Sequence, residues 1–228
     1  MIPLKDENPT ETTPYVTIAL LLVNTVIFFY ELSYGLGMGR FIFRFGMIPY
    51  EFTQGMELAP SSSIPAGLTI LTSMFLHGGL FHLGGNMLYL WIFGNNVEDA
   101  LGHFRFLIFY FICGFAAAFT HILANPLSKV PTVGASGAIA GLLGAYLILY
   151  PYARVLTLIF FFYFVRIVPL PAYFIIGFWF ILQLLNGMIG GGGVAWFAHI
   201  GGFLAGLLLV KLFARPDRGH HRFHYWET

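Results

Sequence analysis

The sequence predicts an all-α polytopic membrane protein in which six transmembrane helices form a bundle. Charged residues make up only 9% of its 228 residues, against about 25% in ordinary soluble domains. Apolar residues make up 58%, the mean hydropathy is +0.79, and six apolar stretches approach the length of a bilayer crossing. These observations exclude a soluble domain and a disordered chain. A formal net charge of +1 also offers no field that would recruit nucleic acid.

The six predicted spans follow from the length of each apolar stretch, because a helix needs about 20 mostly apolar residues to cross the hydrocarbon core. They are Tyr15–Leu32, Gly79–Val97, Phe104–Ala124, Val133–Tyr150, Ala172–Met188 and Val194–Phe213. The link Ser33–Gly67 is aromatic and partly apolar, which favours a first loop lying in the membrane plane. The apolar run Val155–Val165 is too short to span, so we expect an interfacial or re-entrant segment there.

The distribution of lysine and arginine sets the expected orientation. With the N-terminus in the cytoplasm, eight of the eleven Lys and Arg residues lie on the cytoplasmic side, as the positive-inside rule favours. We therefore expect a cytoplasmic N-terminal segment (1–14), a six-helix membrane domain (15–213) and a basic cytoplasmic tail (214–228). No transit peptide is visible, which favours a prokaryotic plasma membrane. The second, fourth and sixth spans then begin on the outer side.

Polar side chains within the spans are few, and several of them fall at one depth. Such groups are costly in lipid and often functional; here they are Asn24, His82, Asn86, His121, Ser136, Gln183 and His199. Each span that begins outside carries some of them in its first turns: His82 and Asn86, then Ser136, then His199. At 1.5 Å per residue these groups share one depth in the outer part of the bilayer. We expect Asn24 and Gln183 to tie helices together.

Small residues indicate which of these spans are in contact. Glycines recur at three- and four-residue spacing in the fourth span (Gly137, Gly141, Gly144) and after His199 in the sixth (Gly202, Gly206). Because such stripes let helix backbones approach closely, Ser136 and His199 are expected within hydrogen-bond reach. A hydroxyl beside an imidazole is the minimal activated nucleophile. No carboxylate lies at that depth, so the sequence permits a Ser–His dyad.

His82 and Asn86 lie one turn apart on one helical face, where both can donate hydrogen bonds toward an oxyanion. The backbone N–H of Ser136, near a helix start, is a third donor. Taken singly, each residue has a commoner structural explanation: a serine among glycines usually serves packing, and His82 with Asn86 would serve equally well as an interhelical clamp. We expect no cofactor and no metal site, because no H-E-x-x-H motif occurs and no acidic residue accompanies the buried histidines.

Three short motifs lie, in order, at the starts of the second, fourth and sixth spans. They read His77-Gly-Gly-Leu-Phe-His82-Leu-Gly-Gly-Asn86, Gly134-Ala-Ser136-Gly137 and Ala198-His199-Ile-Gly-Gly202. Together they resemble the rhomboid family of intramembrane serine proteases over roughly residues 68–210. The resemblance implies Ser136 as nucleophile, His199 as general base, and His82 and Asn86 in an oxyanion hole with the Ser136 amide. It also implies a rhomboid-like six-helix bundle, open to the outside, that cleaves single-span membrane proteins within the lipid bilayer.

Two positions depart from the family pattern. Many rhomboids carry Trp-Arg shortly before the second span, where this chain has Leu68-Thr69. Some carry an aromatic residue four positions after the serine, stacked on the catalytic imidazole, where this chain has Ala140. Support for His199 is therefore expected from another residue.

Two other functions use the same residues. A transporter could employ His82, His121 and His199 as a proton relay, although the acidic residues and paired broken helices expected of one are missing from the sequence. An inactive rhomboid relative could bind membrane clients without cutting them. Such relatives lose the serine or the histidine, and this chain has both, so a serine endopeptidase is the favoured hypothesis.

Overall fold

The computed structural model of the chain describes residues 1–58, 64–161, 164–190 and 193–215. Helices account for most of them: α1 (Tyr15–Ser33), α2 (Met38–Phe45), α3 (Pro49–Gln54), α4 (Ala66–Ser73), α5 (Leu80–Leu101), α6 (His103–Ala124), α7 (Ser136–Leu149), α8 (Ala172–Ile189) and α9 (Trp196–Phe213). Three strands, β1 (Ile2–Asp6), β2 (Arg154–Phe161) and β3 (Phe164–Pro171), form one sheet. The predicted helical membrane protein is confirmed, with a small sheet added.

Each predicted span coincides with a helix, namely α1 and α5 to α9. Four of them, α1, α6, α8 and α9, are long and apolar enough to cross a bilayer. Helix α7 is apolar but has 14 residues, and α5 carries two acidic residues in its last turn, so the count of six crossings stays a prediction. The first loop contains α2 and α3, and its residues 59–63 lie outside the described part of the chain.

Helix α7 lies at the centre of the bundle, where ten consecutive residues, Gly137–Tyr146, are buried. The carbonyl oxygen of Gly137 lies directly against Gly202 of α9, so that a Cβ there would overlap it. One turn further along, the carbonyl oxygen of Gly141 lies against Gly206 in the same way. The predicted contact between the two glycine stripes is therefore confirmed, and it brings the starts of α7 and α9 side by side.

Residues Arg154–Phe161 and Phe164–Pro171 form two paired strands, β2 and β3, which the sequence did not predict, and their expected position at the membrane interface stays a prediction. β2 pairs antiparallel with β3 along its whole length and with β1 on its other side. Its Val, Thr, Ile and Phe residues favour strands, and Val155 and Thr157 are buried while the residues on either side of each are not. The two prolines of β3 fit its place at the edge of the sheet. Because nearly every residue is apolar, the two-residue period of a strand is hidden in the sequence.

Two carboxylates at the end of α5 hold the N-terminal segment against the bundle. The fully buried Glu98 accepts the backbone N–H groups of Val16 and Thr17 at 2.9 and 2.7 Å. It thereby satisfies donors that the start of α1 would otherwise leave unpaired. Asp99 accepts the backbone N–H and the hydroxyl of Thr12 at 3.1 and 2.6 Å. The segment before the first span is therefore packed structure.

The sheet lies at the end of the bundle opposite to the starts of α5, α7 and α9. Asp6 of β1 accepts a hydrogen bond from the Tyr146 hydroxyl, near the end of α7, at 2.8 Å. On the far side of the sheet, β3 ends at Pro171 and α8 begins at Ala172 with no residue between them. Helix α8 therefore runs from the sheet toward the opposite end of the bundle.

Candidate active site

The residues singled out from the sequence meet where α5, α7 and α9 begin. Ser136 is the first residue of α7, His199 is the fourth of α9, and His82 is the third of α5. Three separate helices thus present polar side chains from their first turns at one end of the bundle. This common level is the one that the counting of residues from each span start predicts.

Ser136 and His199 are joined by a hydrogen bond of 2.8 Å between Oγ and Nε2. Both side chains are partly buried. The serine O–H donates, which requires Nε2 to carry the lone pair and Nδ1 to carry the proton. That is the tautomer in which an imidazole can take up a proton from the hydroxyl.

The second ring nitrogen of His199 is held by Gln183 of α8. Nδ1–H donates to Gln183 Oε1 at 2.8 Å. The indole of Trp179, one turn earlier on α8, lies with its centroid 5.9 Å from the imidazole centroid, at an interplanar angle of 36°. The His199 imidazole, which has no aromatic residue at position 140 to stack on it, is therefore supported by Gln183 and Trp179 of α8.

Sequence reasoning missed the part that Gln183 takes in the site. Gln183 joins two helices as expected, since it reaches from α8 to α9, but its partner is the imidazole of the candidate dyad. The available signal was a glutamine in a span that otherwise carries only one other amide, Asn186. Asn24 does not tie helices among the described residues: its Nδ2 donates to the Leu20 carbonyl of its own helix at 2.7 Å.

His82 and Asn86 converge on the backbone just before Ser136. The backbone N–H of Gly78 lies 3.4 Å from His82 Nδ1 and donates to it, which leaves the proton on Nε2. A Cβ added to Gly134 would lie 2.7 Å from His82 Nε2 and 3.5 Å from Asn86 Nδ2. Gly134 also has φ +122°, which favours glycine, so two independent constraints require glycine at this position.

A buried chain of hydrogen bonds orients Asn86. Its Nδ2 donates to His77 Nε2 at 2.9 Å, and His77 in turn donates its backbone N–H to the buried carboxylate of Glu31, in α1, at 3.2 Å. Burial is the main cause that lowers the pKa of His77 to about 4, and the neighbouring His82 adds to it. The His77 ring is therefore neutral at pH 7 and can accept from the amide.

The backbone adds donors at the same place. The first N–H groups of α7, beginning with Ser136, have no acceptor within their own helix, and they form the positive end of its dipole. A negative oxygen beside Ser136 would thus face the backbone N–H, His82 Nε2–H and the second amide hydrogen of Asn86. A hydroxyl hydrogen-bonded to an imidazole, next to donors of this kind, can carry out acyl transfer.

Comparison with known proteins finds the same family in several organisms. The Rhomboid domain family model matches residues 66–216. Rhomboid protein 1, mitochondrial, of Saccharomyces cerevisiae is 29% identical over 185 residues, which cover 76% of this chain and 50% of that protein. RHOMBOID-like protein 1 of Arabidopsis thaliana is 35% identical over 161 residues, 66% of this chain and 36% of that protein.

A further relative, Rhomboid protease GluP of Bacillus subtilis, is 42% identical over 78 residues, 34% of this chain and 15% of that protein. The chain thus matches half or less of the length of each of these relatives. The stretch matched by the family model begins with α4, ends just beyond α9 and contains all three sequence motifs. On this match, which covers more than half of its residues, the chain belongs to the rhomboid family.

Proposed function

We propose that the protein is an intramembrane serine endopeptidase that cleaves single-span membrane proteins near the outer face of the bilayer. The observation that carries the proposal is the 2.8 Å contact between Ser136 Oγ and His199 Nε2. It occurs in a chain of the rhomboid family, one of whose relatives is named a protease. The neighbouring donors of His82 and Asn86 support the same chemistry.

In the first half of the reaction, Ser136 Oγ attacks the carbonyl carbon of the scissile peptide bond while His199 Nε2 takes the hydroxyl proton. The carbonyl oxygen becomes an oxyanion and accepts from the Ser136 N–H, His82 and Asn86. The C–N bond then breaks, and the imidazolium gives its proton to the leaving amine. The product is an ester between Ser136 and the N-terminal part of the substrate.

In the second half, water attacks that ester and His199 takes its proton. The intermediate collapses, the Ser136 oxygen leaves and recovers the proton from His199, and the carboxylate product is released. Atoms and charges balance without a cofactor. Because a helical backbone hides its carbonyls in hydrogen bonds, the transmembrane substrate must unwind locally to present the scissile bond.

The orientation and the membrane are part of the same proposal. The excess of lysine and arginine in the loops at the sheet end supports cytoplasmic termini, with the Ser136 end of the bundle open to the outside. We place the bundle in a plasma membrane, with the sheet end on the cytoplasmic side.

The test is cleavage of a single-span substrate by the purified chain in proteoliposomes. We expect Ser136→Ala and His199→Ala each to lower kcat/KM by about a thousandfold or more, and the double variant to lose little beyond either single one, since the two residues act as a unit. Ser33→Ala, which removes an exposed hydroxyl that donates to the Tyr30 carbonyl of its own helix, is the matched control and should cleave normally.

The alternatives give different results in the same vesicles. Near-normal cleavage by His199→Ala would disprove the dyad. Absence of cleavage by the unaltered chain, with clients still bound, would indicate an inactive relative. Proton flux that depends on His121 and His199 but not on Ser136 would indicate a transporter.

A further inference from the structure

The amide of Gln183 is fixed at both ends. Its Oε1 accepts from His199 Nδ1–H at 2.8 Å, and its Nε2 donates to the Trp179 carbonyl of its own helix at 3.1 Å. Gln183 is 5% exposed, so its amide is held mainly by these two protein partners. If the amide turned over, its oxygen would face the Trp179 carbonyl and its NH₂ group would face Nδ1–H. The bond to the Trp179 carbonyl would be lost, and the NH₂ group could bond to Nδ1 only after the ring proton had moved to Nε2, away from the tautomer that accepts from Ser136.

The orientation of this amide determines the tautomer of the imidazole. A carbonyl oxygen facing Nδ1 can only accept, so the ring proton resides on Nδ1 and the lone pair on Nε2 faces Ser136. The three bonds run in one direction, from the Ser136 hydroxyl through His199 and Gln183 to the Trp179 carbonyl. Hydrogen bonds aligned in this way polarise one another in a low-dielectric interior.

We infer that Gln183 is a positioning residue, which holds His199 in the tautomer that accepts the serine proton and stabilises the imidazolium that forms. This inference rests on the proposed function. The Nδ1–H···Oε1 bond becomes charge-assisted when His199 is protonated, so it is stronger in the transition state than in the ground state. A glutamine on α8 thus replaces the carboxylate that the sequence lacks at this depth.

Because Gln183 lies on α8, the tautomer of the His199 imidazole depends on where α8 lies relative to α9. Most of this helix faces outward: among the four helices long and apolar enough to span a membrane, it has the smallest buried share. Its inner contacts include Phe180, whose ring stacks on Phe203 of α9 with centroids 4.1 Å apart. When α8 is seated against α9, Gln183 reaches His199. When α8 moves outward, the tautomer is no longer held.

The decisive variant is Gln183→Met, which keeps the length of the side chain and removes the acceptor. We expect kcat for a single-span substrate to fall about ten- to a hundredfold, the effect of losing a hydrogen bond to a charged group, with KM unchanged. The rate at which a fluorophosphonate modifies Ser136 should fall in parallel, because that rate reports activation of the serine and needs no transmembrane substrate. Gln183→Glu, which retains an acceptor, should restore most of both rates.

Asn186→Leu is the matched control, because Asn186 makes the same kind of bond to its own helix, to the Leu182 carbonyl at 2.7 Å, and should leave both rates unchanged. If Gln183→Met fails to fold, Gln183→Asn, whose shorter amide cannot reach Nδ1, takes its place. Rates within twofold of the unaltered protein in the acceptor-free variant would overturn the inference, as would equal losses in Gln183→Glu. Full cleavage by Ser136→Ala would instead overturn the proposed function.

Discussion

Asn86 carries two amide hydrogens, and one of them is already donated to His77 Nε2. The amide nitrogen lies near the backbone of Gly134, at 3.5 Å from a Cβ added there, so the second hydrogen is available to an acceptor beside Ser136. We therefore propose two functions for this side chain: a structural bond to a buried ring, which the structure shows, and a hydrogen bond donated to an oxyanion. These two functions can be separated by substitution.

We expect Asn86→Ala to lower kcat by about a hundred- to a thousandfold or less, the range for loss of one oxyanion donor. The loss is limited because His82 and the Ser136 N–H remain. Asn86→Asp should be at least as slow, since a carboxylate would repel the oxyanion, although it can still accept a hydrogen bond from the neutral His77 ring when the ring carries its proton on Nε2. Single-turnover cleavage and a thermal melt of each variant are the measurements.

A clamp would behave differently. If Asn86→Ala lost activity only in proportion to a lowered melting temperature, while Asn86→Asp restored both, then Asn86 would serve to join the loop to α5. The role of oxyanion donor would then be wrong.

At the scale of residues, the sequence predicted which side chains share a level but not how each is oriented. Ser136, His199, His82 and Asn86 could be placed by counting from the starts of their spans. The contact of Gln183 could not, because it depends on how α8 is rotated against α9, and α8 has no stripe of small residues that would set that rotation.

At the scale of helices, the site depends on the contact between α7 and α9. The carbonyl oxygen of Gly137, the residue after Ser136, touches Gly202 of α9. A change in the distance between these helices therefore also changes the Ser136–His199 hydrogen bond. The glycine stripes made this contact predictable, since each glycine lies three or four residues from the next.

Gly202→Ala should lower kcat by about a hundredfold without altering any reacting group. The added Cβ would overlap the Gly137 carbonyl oxygen and push the helices apart by more than about 1 Å, a displacement sufficient for that loss. Cleavage and the melting temperature should both fall.

Gly177→Ala is the control for this prediction, because a Cβ at that position of α8 meets no atom within 4 Å. It should cleave normally and be as stable as the unaltered chain or slightly more so, given the higher helix propensity of alanine. Equal activity in the two alanine variants would show that close packing at Gly202 is not required.

The hairpin shows where prediction from elements fails. Helices in a membrane protein can be predicted from the length of their apolar stretches and from their small residues. β2 and β3 are short and apolar on both faces, so neither signal applies to them. The third strand, β1, pairs with β2 but is far away in the sequence, and no local pattern connects Ile2 to Leu158, the residue that it faces. Pairing over that distance is a property of the whole molecule.

The sheet end contains a buried carboxyl, Asp6, whose titration affects how firmly the N-terminal segment is held. Burial is the main cause that raises the pKa of Asp6 from 3.8 to about 6, and the Tyr146 hydroxyl opposes it only in part. Between about pH 4 and pH 6 the seated segment therefore binds more protons than the released one. The free energy that holds the segment against the bundle therefore falls as the pH rises through this window. The total loss above about pH 6 is about 3 kcal/mol.

Asp6→Asn should remove that dependence, since its amide oxygen still accepts from Tyr146 and carries no charge to desolvate. We expect the opening free energy of the β1 amides, measured by hydrogen exchange, to fall from pH 4 to pH 7 in the unaltered chain and to stay level in the variant. Glu7→Gln, which alters the adjacent exposed carboxylate, should behave like the unaltered chain. A level profile for the unaltered chain would contradict the prediction.

The long-range pairing of β1 also has a consequence for biosynthesis. The first strand leaves the ribosome some 150 residues before β2, which at about 5–20 residues per second is a delay of roughly 8–30 s. During that interval α1, α5, α6 and α7 can already be inserted, while Ile2–Asp6 has no strand to pair with. β1, although made before all of these helices, can thus be seated only after β2 has been made. A ribosome that stalled before Arg154 would leave α1, α5, α6 and α7 without α8 and α9. β1 would then stay unpaired and accessible to proteases of the quality-control machinery.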